Sequence, residues 1–187
     1  MDSSSSFLKQ FWKDKQMVGA LSPSSRSLGA RMIRDLDFEN ARVVVELGPG
    51  TGVFTGLILE KMHPDATLMV FELNDLFYDQ LKNKFDDPRV HIIHDTAEKI
   101  EEYLGQYNLG KADLVISSLP LTMFPTDLRV SILQASNRSL SEYGKYVQFQ
   151  YSLIAKKQIQ HVFKDVKIGF TVKNFPPAFI FTCKKQQ

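Results

Sequence analysis

The sequence holds a single cysteine, Cys183, so no disulfide can form within the chain and a reducing compartment suits it. It lacks any apolar stretch approaching the ~20 residues of a membrane-spanning helix. Its first residues, Met1-Asp2-Ser3-Ser4-Ser5-Ser6, have neither the basic start nor the apolar run of a secretory signal. These absences lead to the expectation of a cytoplasmic protein. No Cys/His/carboxylate cluster has metal-ligand spacing, and alternation puts His91 and His94 on opposite faces of a strand, so no metal is expected. Strong net charge is missing too: 187 residues carry only +2.

What charge there is lies unevenly. Residues 1–34 carry Lys9, Lys13, Lys15, Arg26, Arg31 and Arg34 against Asp2 and Asp14, a net +4 that leaves −2 for the rest. A basic leading segment on a slightly acidic body points to an anionic partner. Phe7 to Val18 reads as a short amphipathic helix, with Phe7, Leu8, Phe11 and Trp12 on one face and Lys9, Lys13 and Lys15 beside it. That pattern suits an interfacial helix on an anionic membrane. A core-packing or dimerisation helix would read the same way.

A second helix is predicted from Pro23 to about Leu36, with Ser22 as its cap. Strands are then predicted near 42–47, 67–72, 90–94, 112–117 and 144–150, each followed by a turn or a helical pattern. Such alternation implies a parallel sheet with helices on both faces. The runs 166–172 and 178–182 have only the turn Asn174–Pro177 between them, so they should pair antiparallel.

The densest signal is Val43-Val44-Val45-Glu46-Leu47-Gly48-Pro49-Gly50-Thr51-Gly52. A strand-forming run ends in an acid and opens into three alternate glycines, after which Val53, Phe54, Leu57 and Ile58 start a helical pattern. Such a turn brings backbone close to a ligand. A dinucleotide fingerprint needs Gly or Ala three residues after its second glycine, and here that position is Val53. The remaining pattern, E-x-G-x-G-x-G, resembles motif I of the class I S-adenosylmethionine (SAM)-dependent methyltransferases. The resemblance implies a Rossmann-like α/β fold: a seven-stranded, mostly parallel sheet with an antiparallel C-terminal hairpin and helices on both faces. It divides the chain into an amphipathic segment, 1–21, and a methyltransferase domain, 22–187.

In open α/β sheets ligands sit at the carboxyl ends of the strands. Glu46, Gly48, Gly50 and Gly52 end the first strand. Glu72, with Leu73 after it, closes the second, where a carboxylate can accept both ribose hydroxyls of an adenosine or be a plain solvated acid. Asp95 matches the acid that approaches the adenine amine in this superfamily, with Thr96 and Ala97 lining the base; it could instead cap a helix over Ala97–Leu104.

The fourth strand ends in Ser117-Ser118-Leu119-Pro120-Leu121, where enzymes that methylate base nitrogens often carry Asn-Leu-Pro-Tyr or Asn/Asp-Pro-Pro-Tyr. Serine replaces the asparagine and Leu121 the stacking aromatic. This turn, the entry Phe7-Leu8-x-x-Phe11-Trp12 to Pro23-Ser24-Ser25, the glycine motif with Phe54, and Val147-Gln148-Phe149-Gln150-Tyr151-Ser152 together resemble the bacterial phospholipid N-methyltransferases. The rRNA adenine dimethylases share that core and carry a further C-terminal helical domain. The sequence stops after the hairpin, which leads to the expectation of a different acceptor.

The resemblance assigns further roles. Ser24 and Ser25 would meet the methionine carboxylate of SAM, or merely cap a helix. Ser117 would border both cofactor and acceptor, Ser118 would help position the amine, and Tyr151 would stabilise a methylated ammonium over its ring. Tyr151 and Phe149 could equally be core aromatics. The implied activity is methyl transfer from SAM to a lipid or small amine of phosphatidylethanolamine type at an anionic membrane. A nucleic-acid adenine N6-methyltransferase and a SAM-binding protein with little catalysis stay open.

Overall fold

The computed structural model describes residues 26–172, 174 and 176–185. The predicted helix over 7–18, the Ser22 cap, Ser24 and Ser25 lie outside the described residues.

The elements run α1 (Arg26–Ile33), β1 (Val43–Leu47), α2 (Val53–Leu59), β2 (Thr67–Phe71), α3 (Asp75–Lys84), β3 (Val90–Ile93), α4 (Ile100–Gln106), β4 (Ala112–Ser117), α5 (Thr126–Ser139), β5 (Leu140–Gln150), α6 (Lys156–Val162), β6 (Lys164–Thr171) and β7 (Ala178–Lys184). They form one seven-stranded sheet in the order β3-β2-β1-β4-β5-β7-β6. The first five strands pair in parallel, and β7 enters antiparallel between β5 and β6. β7 is therefore the single reversed strand, and β6 points the same way as β5.

The unbroken valine run of β1 follows from burial on both sides of the sheet. Val44 faces a core with Leu28 and Met32 of α1, Phe54 and Ile58 of α2 and Leu81 of α3. Val45 faces the other core, with Ile100 and Leu104 of α4, Ile132 of α5 and Ile159 of α6. Helices α1–α3 thus cover one face and α4–α6 the other.

Two boundaries differ from the sequence reading. β5 starts at Leu140, because Ala112 pairs with Leu140 but Leu114 with Lys145, so part of 141–144 bulges out of the ladder. The strand predicted near 144–150 thus extends back through that bulge to Leu140. The helix predicted over Ala97–Leu104 is a 3₁₀ turn, Ala97–Lys99, followed by α4. The two histidines are engaged by aromatic neighbours: His91 lies against Tyr107, and His94 stacks on Tyr78.

The chain leaves β1 toward β2 on one side, and β4 returns to pair with β1 on the other. This reversal of strand order opens a crevice at the carboxyl ends, the place where such sheets bind ligands.

Candidate active site

Beyond β1 the chain turns through Gly48, Gly50 and Gly52, at φ of +67°, +56° and +75°. A side chain in this left-handed region costs about 1–2 kcal/mol. At Gly48 a Cβ would also stand 2.6 Å from Leu119 Cδ2, so the bare backbone lets this turn touch the loop after β4. At Gly50 nothing lies within 4 Å of where a Cβ would be, so the turn borders open space.

Two acids support the turn from below. Glu72, 2% exposed at the end of β2, accepts from the Asn74 amide at 2.9 Å and from the Gly50 amide at 3.2 Å. Burial pushes its carboxyl up to about 7, against the pull of the Asn74, Gly50 and Leu73 amides and of His94. Leu73 is half-buried, and its carbonyl lies 3.2 Å from His94 Nε2. Glu46, inside β1, is wholly buried, and neither carboxyl oxygen has a well-formed hydrogen bond among the described residues. Burial raises it to about 8 and the charge of Glu72 adds to this, while the nearby Thr55 hydroxyl opposes it.

The third strand contributes Asp95, Thr96 and Ala97. Asp95 Oδ1 accepts from the Thr96 amide at 2.7 Å, and Oδ2 accepts from Lys99 Nζ and the Tyr103 hydroxyl, both at 3.0 Å. Burial works to raise its carboxyl, but these bonds prevail and hold it below the ordinary range. Asp95 is not the helix cap. Thr96 takes that role, its Oγ1 accepting from the Glu98 amide. Thr96 and Ala97 line a narrow cleft with Gly48, Glu72, Leu73 and Leu119.

Across the cleft, the turn after β4 is held from all sides. The Ser118 amide donates to Leu47 O at 2.9 Å and ties the turn to β1. Ser117 is wholly buried, and its Oγ accepts from the Leu119 amide at 3.4 Å. Pro120, at φ −77° and ψ 67°, makes an inverse γ-turn in which the Leu121 amide donates to Leu119 O at 2.8 Å. That same carbonyl also receives Gln148 Nε2 and Gln150 Nε2, each at 3.0 Å. Further on, buried Arg129 donates to Leu121 O at 2.8 Å and to Phe124 O at 3.0 Å. Leu119 O thus has more donors than lone pairs, and a ligand finds no room on it.

The aromatics beyond β5 divide. Phe149 is buried, edge-on to Phe54 at 6.1 Å, and belongs to the core. Tyr151 is 44% exposed, its ring edge-on to Phe149 at 5.5 Å. Of the expected site, the fold brings together Glu46, Gly48, Gly50, Gly52, Glu72, Leu73, Thr96 and Ala97 around the β1–β4 crevice, with Asp95 at its rim. Ser117 is walled off beneath the turn, and Ser118 is half-buried at its start.

The family model of the ribosomal RNA adenine dimethylases matches residues 24–159 of this chain. The chain belongs to that family. It is a SAM-dependent methyltransferase, and its cofactor is SAM. The ornithine lipid N-methyltransferase of Singulisphaera acidiphila is 31% identical over 180 residues, covering 95% of this chain and 94% of the relative. The N-methyltransferase NodS of Bradyrhizobium japonicum WM9 superposes with a TM-score of 0.69 at 9% identity, over 87% of this chain and 96% of its own. A structure of PigF with SAH superposes with a TM-score of 0.61 at 17% identity; it covers 92% of this chain, which spans 64% of PigF. These structural likenesses show the class I fold.

The cleft of this methyltransferase suits an adenosyl group on its own evidence. It has open space beside Gly50 and a strand-end carboxylate with lone pairs left after two amide bonds. The sequence reading missed the groups that fix the acceptor turn: Tyr146, the side-chain amides of Gln148 and Gln150, and Arg129. One signal was available. Glutamine at alternate positions of an apolar strand puts two amides on one buried face, and they must find partners there. Arg129 carries no comparable signal, since a helical arginine usually reads as solvated.

Proposed function

We propose that this methyltransferase transfers methyl groups from SAM to the amine headgroup of a membrane lipid, of phosphatidylethanolamine type, working at the membrane surface on the cytoplasmic side. The observation that carries this reading is the acceptor turn. Where enzymes of base nitrogens carry a stacking aromatic, Leu121 is wholly buried in the core. A flipped base would lose its platform there, whereas an aliphatic amine needs none. The likeness to a lipid N-methyltransferase over nearly the whole chain supports the same class of acceptor.

In this reading Glu72 takes the ribose hydroxyls, and Asp95, Thr96 and Ala97 surround the adenine. Glu46, Gly48, Gly50 and Gly52 shape the turn beside the methionine moiety, together with Ser24 and Ser25. Bound SAM supplies an electrophilic sulfonium methyl group, and the chain's own groups align the nucleophile in line with it. An amine attacks only once it has shed its proton. Ser118 orients the lone pair, Ser117 stiffens the turn, and the exposed Tyr151 ring faces the growing positive charge. Residues 7–18 attach the enzyme to anionic lipid.

The family model's own description gives the second reading, methylation of adenine in RNA. Incubating the protein with labelled SAM and either total lipid or total RNA separates the two. The lipid reading predicts label in the lipid fraction. Faster labelling of an rRNA fragment than of lipid vesicles would overturn it.

A further inference from the structure

Half of the large apolar side chains exposed among the described residues lie together at one end of the sheet. Tyr151, Leu153 and Ile154, at 44%, 42% and 68% exposure, follow β5. Phe170 and Val172, at 53% and 72%, stand at the end of β6. The register brings them together: Gln150 pairs with Phe179, Phe179 with Phe170, and the Phe170 and Phe179 rings are 5.0 Å apart. Neighbouring strands are ~5 Å apart, so Tyr151 and Phe170 lie within about 10 Å across the edge. This edge is the carboxyl edge, and the rim flanks the mouth of the acceptor side.

Apolar side chains standing out of loops at the lip of a cleft need a partner to leave water for. The charge around them says which. Lys156 and Lys157 come after Ile154 and the buried Ala155 and have no ion-pair partner among the described residues; Lys173 follows Val172 in the sequence. Apolar side chains followed closely by Lys156 and Lys157 match the interface of an anionic bilayer, where the rings and branched chains enter the headgroup boundary and the ammonium groups stay among phosphates.

We propose that the rim of Tyr151, Leu153, Ile154, Phe170 and Val172, with Lys156 and Lys157, docks on an anionic membrane and sets the acceptor mouth against the headgroups. This surface is made of residues other than 7–18, and the proposal rests on the lipid reading of the site. Docking through the rim makes the approach of a headgroup a short move along the bilayer plane, with no need to lift the lipid out.

Cys183 is the single cysteine and is buried, so a cysteine introduced at the surface of the full chain takes a polarity-sensitive fluorophore selectively. The label goes at Ile154, at Val172 and, as a control, at Tyr143. Tyr143 is 87% exposed in the β5 bulge toward the opposite end of the sheet. With phosphatidylglycerol-containing vesicles, the first two positions should shift blue and brighten, and Tyr143 should not. Ile154→Asp with Val172→Asp should weaken vesicle binding at least roughly tenfold, and Lys156→Gln and Lys157→Gln roughly fivefold each, with SAH affinity unchanged. No response at either rim position, or an equal response at Tyr143, overturns the proposal. A response that grows with protein concentration alone would make the rim a self-association face and would also overturn it. The readout needs no methyl transfer, so a protein that docks this way yet labels RNA would sink the lipid reading and leave the docking surface standing.

Discussion

The two halves of the carboxyl edge are built by different means. On the β1–β2–β3 side the chain uses backbone: three left-handed glycines, two buried acids and amides that hold one of those acids. On the β4–β5–β7–β6 side it uses side chains: two glutamine amides, a buried arginine and a tyrosine hydroxyl hold the turn, while an apolar rim stands in water outside it. The difference follows from what each half must recognise. The cofactor is constant, so a rigid backbone cradle serves. In the proposed function the acceptor meets the other half, whose wall is made of side chains from distant strands.

If the halves are separable, each should break alone. Glu72→Ala should weaken SAH binding by roughly 10- to 150-fold, about 1.5–3 kcal/mol for a charge-assisted pair, and leave vesicle binding intact; calorimetry reads this directly. Gln148→Leu should strike the other half. It removes one donor from Leu119 O and the acceptor of the Tyr146 hydroxyl at 2.7 Å, leaving that buried hydroxyl to Ser117. Losing a buried hydrogen-bond partner costs about 1–3 kcal/mol, so Tm should fall by very roughly 2–12 °C. Turnover should drop as well, with SAH affinity nearly unchanged. A loss of SAH affinity as large as that of Glu72→Ala would mean that the halves are one unit.

A smaller effect sharpens the comparison through pH. Burial holds Glu72 near 7 and Glu46 near 8 in the folded protein, against 4.5 when exposed. The folded chain therefore keeps protons that the unfolded chain has released. The stability these groups contribute is complete below about pH 4.5 and is lost as pH climbs through 7 and 8. Thermal scans of the free protein should give a Tm several degrees higher at pH 6 than at pH 8.5, and Glu46→Gln should flatten that slope. Both acids lie in the cofactor half, so Gln148→Leu should leave the slope unchanged. The smallest effect belongs to neither half: Arg26→Ala, which removes an exposed ion pair to Glu60 at 2.8 Å, should cost no more than ~1 kcal/mol in a denaturant titration.

The same division explains what could be read from the sequence. The succession of strands and helices, the glycine turn and the place of Glu72 at a strand end all follow from local pattern, because each depends on residues within a few positions of one another. The pairing of 166–172 with 178–182 was legible for the same reason. The acceptor wall was not. Leu119 O is satisfied by Gln148 and Gln150, some thirty positions away, and nothing near residue 119 announces them. Ser117 looked like a residue facing the acceptor because it ends a strand, yet the inward side of β4 takes it beneath the turn. Thr96 displaced Asp95 as a cap, since three bonds already engage the Asp95 carboxylate.

The most direct test of a divided edge pairs two constants on two variants. SAH affinity and the KM for a lipid amine in mixed micelles are measured for Glu72→Ala and for Gln150→Leu. The division predicts a crossed pattern: Glu72→Ala moves the SAH constant and leaves the amine KM near its original value, while Gln150→Leu does the reverse. Two variants that move both constants together would contradict it.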